Sequence, residues 1–190
     1  MADVAVRAGA DFLGFNFVPD SPRYVEPARA LEIIESLKNQ VRLVGVFRDA
    51  PIKTVNDIAA RLGLDFVQLH GNEDRGYVDQ IDLPVIKAVR VGDKPVEAML
   101  ADMRSGDASY FLLDREVQGH GEGIDLDKAR VMAREFPVFV AGGLDAGNVG
   151  RTVRETGPYA VDVAGGIETD GGPDMGKIRA FIKAVKQAGQ

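Results

Sequence analysis

The sequence predicts an α/β protein, a (β/α)8 TIM barrel that lacks its first strand. Seven short runs rich in Val, Ile, Leu and Phe alternate with helical patterns, which is typical of a parallel sheet covered on both faces. Seven strands exceed the five or six of a usual doubly wound sheet and fall one short of a closed barrel. Eight helices are predicted, and a helix comes first. We therefore expect the missing strand to precede Ala2, which leaves two unpaired sheet edges and an open slot along the core.

The first half of the chain alternates helix and strand four times. A helical pattern over residues 2–8 ends at a glycine, a proline begins the helix over residues 27–38, and a proline and a glycine bound the helix over residues 51–62. The fourth helix, over residues 73–80, is short. The strands are apolar runs at residues 12–17 (FLGFNF), 42–47 (RLVGVF), 66–69 (FVQL) and 84–89 (PVIKAV).

The second half continues the same alternation. A weaker helical pattern over residues 95–103 precedes the fifth strand, and helices over residues 126–135 and 145–155 separate the last three strands. An amphipathic helix over residues 174–186 closes the chain. The three strands are predicted at residues 110–114 (YFLLD), 138–141 (VFVA) and 159–163 (YAVDV).

Composition favours one domain over residues 1–190, incomplete at its N-terminus, because 190 residues with 45% hydrophobic content suit a single core. The 23 Lys and Arg against 29 Asp and Glu give a net charge of −6 without a basic cluster, which argues against nucleic acid and anionic membranes as partners. Zero cysteines and two histidines argue against disulfides and a zinc site. Neither a signal peptide nor a membrane span is recognisable, so a cytoplasmic location is expected.

A carboxylate followed by glycines marks the centre of the predicted function. Asp114 ends a buried strand, where barrels place their chemistry, and Gly119, Gly121 and Gly123 follow it. Glycines at this density let backbone N–H groups approach an anion or let a loop fold over a ligand. This segment alone favours equally a catalytic acid beside a mobile loop and a strand that ends in an aspartate turn.

Two glycine pairs predict a phosphate site. Gly142-Gly143 and Gly165-Gly166 follow the last two strands, where barrels commonly bind phosphate. The segment after the second pair, ETDGGPD, is a candidate for a short extra helix whose N-terminus faces the anion. Each pair alone is more typical of a tight turn, but their occurrence at consecutive strands favours phosphate.

Eight motifs, in this order, resemble the phosphoribosylanthranilate isomerase family of tryptophan biosynthesis: GADFLGFNF, SPRYV, VGVF, VQLHG, PVIKA, LLD, AGGL and PYAVDV. The resemblance implies a barrel that converts N-(5′-phosphoribosyl)anthranilate into 1-(2-carboxyphenylamino)-1-deoxyribulose 5-phosphate by an Amadori rearrangement, without metal or organic cofactor. It implies a small phosphosugar as the partner and a monomer or homodimer as the assembly.

The resemblance also assigns roles to residues. Asp114 matches the family's general acid, and Arg23 in SPRY matches the residue near the anthranilate carboxylate. The two glycine pairs match the phosphate loops, and Gly121 in the glycine loop is expected to bind substrate. Where the family usually has serines after the last strand, this chain has Ala164 and Gly165, so backbone N–H groups would have to hold the anion.

Three further polar residues are weaker candidates. His70 shares a strand face with Gln68 and is expected either to bind substrate or to be a structural histidine. Asp162 is either a ligand of the sugar hydroxyls or a buried structural carboxylate. His120 lies in the glycine loop and is expected to be solvated.

The family's base is the largest departure. It is a cysteine on the first strand, in a K-I-C-G-(I/L)-T motif, and neither that motif nor any cysteine occurs here. Three interpretations follow: a truncated or mis-started product of an ordinary isomerase, a non-catalytic relative that binds a phosphosugar, or a related barrel isomerase or lyase with another base.

Overall fold

The computed structural model describes residues 1–37, 40–115 and 123–189. Over these residues seven parallel strands form one sheet in chain order, so each crossover connects neighbouring strands. This confirms the predicted parallel sheet of seven strands. They are β1 (Phe12–Asn16), β2 (Arg42–Phe47), β3 (Phe66–Leu69), β4 (Val85–Val91), β5 (Tyr110–Arg115), β6 (Val138–Val140) and β7 (Ala160–Val161).

Eight α-helices occur in the described part of the chain, as the sequence predicts. Glycines in the left-handed conformation end the first and third of them, where the carbonyls of the last turn need donors. None of the described helices is both long and apolar enough to cross a membrane. They are α1 (Ala2–Ala8), α2 (Pro27–Leu37), α3 (Ile52–Leu62), α4 (Arg75–Val78), α5 (Val96–Ser105), α6 (Leu126–Ala133), α7 (Val149–Thr156) and α8 (Met175–Ala188).

Aromatic side chains show that the sheet curls back on itself. The ring centroid of Phe12 on β1 lies 5.3 Å from that of Phe139 on β6 and 6.5 Å from that of Tyr159, which precedes β7. Phe66 and Tyr110 complete this layer, each in edge-on contact with neighbouring rings. Strands at opposite ends of the pairing order therefore touch across the interior, as in a barrel.

The helices close the outer face of the same curve. Residues on the outward face of the strands, such as Val67, Leu69 and Leu113, are fully buried beneath them. The first and last helices also meet, because Lys186 on α8 donates a hydrogen bond to the carbonyl of Ala8 at 2.9 Å. Within the described sheet, β1 and β7 each pair on one side only, so the slot predicted between them is present.

The segment after the second glycine pair departs from the prediction. The short helical turn lies at the glycines themselves, Gly165–Ile167, and the predicted extra helix is instead a hairpin of β8 (Glu168–Thr169) and β9 (Gly172–Pro173). Asp170 and Gly171 form its two-residue turn, both with positive φ, at 51° and 79°. Asp-Gly is a strong hairpin signal because both residues tolerate positive φ, and here it outweighs the helical pattern of the segment.

Two helix boundaries were also wrong, for local reasons. The helix predicted from residue 145 begins at Val149, because the Asp145 carboxylate accepts hydrogen bonds from the N–H groups of Gly147 and Asn148 and holds a turn there. The helix predicted over residues 73–80 is the single turn α4, whose N-cap is Asp74. Glu73 therefore lies in a loop.

Candidate active site

The candidate site lies at the carboxyl ends of the strands. Side chains alternate between the two faces of a strand, so residues in step with the interior aromatic layer also point into the barrel mouth. On β3 the inward positions are Phe66 and Gln68, and His70 continues the series. On β5 the inward positions are Tyr110, Leu112 and Asp114. The inward positions that follow the apolar layer are therefore polar and meet at one end of the barrel.

The structure brings two of the predicted residues together. His70 Nε2 lies 3.4 Å from Asp114 Oδ2, and their side chains are 26% and 15% exposed. The other ring nitrogen, Nδ1, lies 3.3 Å from the buried amide nitrogen of Gln68. When Gln68 donates to Nδ1, the ring carries its proton on Nε2, facing the carboxylate. The second carboxylate oxygen, Oδ1, accepts the N–H of Arg115 at 2.8 Å.

Asp162 directly follows β7 on the inward face. Desolvation raises the pKa of its carboxyl above the ordinary value, and the nearby negative charge of Asp114 raises it further. His70 and Arg23 oppose this shift. The side chain of Asp162 is accessible to solvent although protein atoms crowd around it, so the desolvation is weaker than in a closed core. The mouth thus holds two carboxylates in different environments.

Arg23 is held by a partner that the sequence did not reveal. Its Nε and Nη2 donate to the two carboxylate oxygens of Glu168 at 2.6 and 2.7 Å, a bidentate pair between the β1–α2 loop and β8. This hydrogen-bonded pair raises the pKa of Arg23 and lowers that of Glu168. Nη1 stays available for a second carboxylate.

The two glycine pairs pack closely against their surroundings. Gly142 and Gly143 have φ of 87° and 80°, which side chains rarely adopt, and a Cβ on Gly142 would lie 2.9 Å from the backbone nitrogen of Arg115. A Cβ on Gly166 would lie 1.8 Å from the carbonyl oxygen of Leu144. The Gly166 contact brings the β6–α7 loop and the β7 loop together, as one composite phosphate site requires.

Sequence reasoning missed two arginines at the mouth. Arg90 belongs to β4 and lines a cleft of about 210 Å³ together with His70 and Ala88. The sequence pattern ends this strand at residue 89, so it assigns no inward position to Arg90. Arg115 extends its guanidinium over Gly143, where an added Cβ would meet Nη1 at 3.0 Å. The sequence signal for Arg115 is its position directly after Asp114, at the end of the strand.

Of the remaining predicted residues, one lies in the described part of the chain and two do not. Gly165 lies near Arg23, with 3.7 Å between Nη2 and the place of an added Cβ. Gly121 and His120 lie outside the described residues, so their predicted roles stay predictions. Among the described residues, no three His, Asp or Glu side chains are grouped as metal ligands would be.

Fold and site together define a barrel protein of the (β/α) type whose polar groups converge at the carboxyl ends of the parallel strands. The family model described as N-(5'phosphoribosyl)anthranilate (PRA) isomerase matches residues 2–184. The chain therefore belongs to the phosphoribosylanthranilate isomerase family.

Individual relatives agree with this membership. The N-(5'-phosphoribosyl)anthranilate isomerase of Geobacter sp. (strain M21) is 41% identical over 189 residues, which cover 97% of this chain and 91% of the relative. The crystal structure of phosphoribosyl anthranilate isomerase from Thermotoga maritima matches with a TM-score of 0.89 and 34% identity, over 98% of this chain and 93% of that one. A phosphoribosyl anthranilate isomerase in complex with reduced 1-(o-carboxyphenylamino)-1-deoxyribulose 5-phosphate matches with a TM-score of 0.86 and 33% identity, over 98% and 92%.

Proposed function

We propose that this protein is the isomerase of tryptophan biosynthesis that converts N-(5'-phosphoribosyl)anthranilate into 1-(2-carboxyphenylamino)-1-deoxyribulose 5-phosphate. The observation that carries the proposal is Asp114 facing His70 at the mouth of the barrel, in a chain of the phosphoribosylanthranilate isomerase family. Opening of a sugar ring requires a positioned general acid, and Asp114 supplies a carboxyl for that role.

In the proposed reaction Asp114 acts first, as the general acid. It gives a proton to the furanose ring oxygen while the bond from C1 to that oxygen breaks, and the nitrogen lone pair forms the C=N bond of a Schiff base. A base then removes the C2 proton, which gives the enolamine and neutralises the nitrogen. Tautomerisation of the enol yields the ketone of the product. The proton on His70 Nε2 faces Asp114, so the neutral imidazole is placed to orient the carboxyl by a hydrogen bond.

Substrate binding is proposed to use the groups around the acid. Arg23, already oriented by Glu168, presents Nη1 to the anthranilate carboxylate. Backbone N–H groups at Gly142, Gly143, Gly165 and Gly166 take the phosphate, and Asp162 accepts the sugar hydroxyls. These assignments follow the resemblance residue by residue and are supported by the gathering of Arg23, Asp162 and Gly165 at one side of the mouth.

The family's base, a cysteine on the first strand, has no matching residue here, because the sequence contains no cysteine. Loss of a positioned general base costs roughly 10² to 10⁴ in rate. We therefore expect slow turnover from the 190-residue chain, and recovery when an N-terminal extension of about a dozen residues supplies a strand with the family's cysteine.

An assay of substrate consumption tests the proposal. The extended protein should be active, and Asp114→Asn or Ala in place of the added cysteine should remove activity. Asp107→Asn, at an exposed aspartate paired with Arg75, should leave it unchanged and serves as the control. If the reduced product analogue stabilises the protein but no extension restores turnover, a non-catalytic phosphosugar-binding protein is the correct interpretation. Absence of both effects contradicts the whole proposal.

A further inference from the structure

A buried ion pair beside the site has no part in the proposed chemistry. Glu73 in the β3–α4 loop and Lys87 on β4 lie 2.9 Å apart, between Oε2 and Nζ, and their side chains are only 1% and 17% exposed. Burying two charges is costly unless each is paired and fully hydrogen-bonded. The hydrogen bonds of the pair to neighbouring loops and backbone groups therefore indicate its role.

The carboxylate of Glu73 connects the β2–α3 and β3–α4 loops by hydrogen bonds. Oε1 accepts the N–H of Asp49 at 2.8 Å, and Oε2 accepts the N–H of Gly71 at 2.9 Å as well as the ammonium of Lys87. Burial alone would raise the pKa of Glu73, but the hydrogen bonds from Lys87 and from Asp49 outweigh burial and lower it. The side chain is thus a carboxylate at neutral pH and keeps accepting all three donors.

The ammonium of Lys87 contacts the backbone on both sides of His70. Nζ donates to the carbonyl of Gly71 at 2.7 Å and approaches the carbonyl of Leu69 at 3.4 Å. With Glu73, these contacts use all three protons of the ammonium. The N–H of His70 itself donates to the carbonyl of Phe47 at 2.9 Å. The peptide groups around His70 are therefore fixed from the β2 side and the β4 side.

Close packing of the loops adds to this restraint. A Cβ on Gly71 would lie 2.3 Å from Asp49 Oδ1, so only glycine allows the approach. The same oxygen accepts the N–H of Asn72 at 2.7 Å, and Asp49 itself has a left-handed φ of 49°. The segment that carries His70 has little freedom to shift, and its ring remains beside Asp114.

We propose that Lys87 and Glu73 are positioning residues that hold His70 against Asp114, an inference that rests on the proposed function. Neither touches the reacting atoms. Loss of Lys87 leaves a buried carboxylate without its cation and frees the backbone at Leu69 and Gly71. The imidazole then moves, and a displacement of about 1 Å in a catalytic group costs on the order of 100-fold in rate.

A double-mutant cycle in the isomerase assay of the 190-residue protein tests the proposal. Lys87→Met should lower kcat by about 10- to 100-fold, with a smaller change in KM. In a His70→Ala background the same substitution should cost less than about threefold, because the group that it positions is gone. An equal loss in both backgrounds would overturn the proposal. Arg104→Met, which breaks a bidentate ion pair with Glu135 in the helical shell, is the matched control and should leave kcat unchanged in both.

A second measurement needs no turnover and separates this proposal from the proposed function. The chain has two histidines, so the imidazole NMR signals of His70 can be assigned with His120→Gln. Asp114→Asn should shift these signals strongly in the parent protein and weakly in the Lys87→Met protein. Undiminished coupling of His70 to Asp114 without Lys87 would overturn the proposal, even in a protein that proves inactive. If Lys87→Met does not fold, the neutral pair Lys87→Met with Glu73→Gln takes its place, with the same outcomes expected.

Discussion

Asp162 shows how a single residue proposed to bind substrate can oppose the stability of the fold. Desolvation and the negative charge of Asp114 raise the pKa of its carboxyl, so folding is opposed by its ionisation. A carboxylate in such a position persists when its charge is needed for ligand, here the proposed sugar hydroxyls.

Asp162→Asn is expected to stabilise the fold while weakening substrate binding. A raised folded pKa means that the stability contribution of the protonated carboxyl is fully present below the unfolded pKa of about 3.9 and is lost as the pH rises through the folded value. The substitution should therefore raise the free energy of unfolding at pH 7, and its advantage should shrink as the pH falls toward 4. Urea unfolding between pH 4 and pH 8 measures this. A constant advantage at every pH would contradict the assigned cause.

Glu168→Gln tests the role of the bidentate pair between Arg23 and Glu168. The glutamine amide has one oxygen and cannot accept both donors of Arg23 as the carboxylate does, so the guanidinium loses its orientation toward the proposed position of the substrate carboxylate. We expect KM to rise by about tenfold, or ~1.4 kcal/mol, with little change in kcat. Steady-state kinetics of the active, extended protein measure both constants. Glu155→Gln removes a similar pair with Arg151 on the surface of α7 and should have no effect. A lower KM in Glu168→Gln would mean that Glu168 competes with substrate.

At the scale of elements, the mouth is shaped by loops that touch only because glycine permits it. The β6–α7 loop meets the loop after β7 where Gly166 approaches the carbonyl of Leu144. Gly165, one residue earlier, has space for a methyl group, since an added Cβ would come no closer than 3.7 Å to Arg23. Adjacent glycines therefore carry different constraints: a steric one at Gly166 and, at Gly165, the electrostatic one of the proposed phosphate site.

Substitutions at Gly165 and Gly166 separate these constraints. Gly166→Ala should destabilise the protein by about 1–3 kcal/mol, because a backbone carbonyl lies in its way. Gly165→Ala should be tolerated, whereas Gly165→Asp should place a carboxylate where the phosphate is proposed to bind. Thermal unfolding with and without the reduced product analogue measures both effects. At about 100 times its Kd the analogue should stabilise the active, extended protein and its Gly165→Ala variant by about 2.7 kcal/mol, and Gly165→Asp not at all. Equal stabilisation of all three would contradict the phosphate assignment.

At the scale of the whole molecule, the described sheet is curled but not closed. β1 and β7 each leave one row of backbone groups without a strand partner, although the aromatic layer and the contact between α1 and α8 bring the two edges near each other. Open edges with an aromatic lining favour association with another chain or strand.

We expect the 190-residue chain to self-associate through this slot and to open first at its edges. Amide exchange should be faster in β1 and β7 than in β3, β4 and β5, because the central strands are paired on both sides. Light scattering across a range of concentrations and hydrogen exchange test the two expectations. A monodisperse monomer with slow exchange at both edge strands would count against an open slot. The sequence leaves monomer and homodimer open, and the same light scattering distinguishes them.

The sequence by itself determined the parts of this protein that depend on local pattern. Alternating apolar runs gave the seven strands in their order, glycine and proline gave most helix ends, and the position of Asp114 after a buried run placed it at the mouth. Errors occurred where short-range hydrogen bonds compete with helix, as at Asp145, or where an Asp-Gly turn makes a hairpin.

Only the tertiary structure decided which side chains meet. Arg23 and Glu168 are 145 positions apart, and Lys87 reaches Glu73 and the backbone around His70 from another strand. Strand register, curvature and side-chain reach fix these contacts together, and none of the three is contained in a local pattern. The alternation of side chains along a strand, with a period of two residues, predicts that His70 and Asp114 point inward. The curl of the sheet brings them within 3.4 Å, because it places the ends of β3 and β5 on one rim.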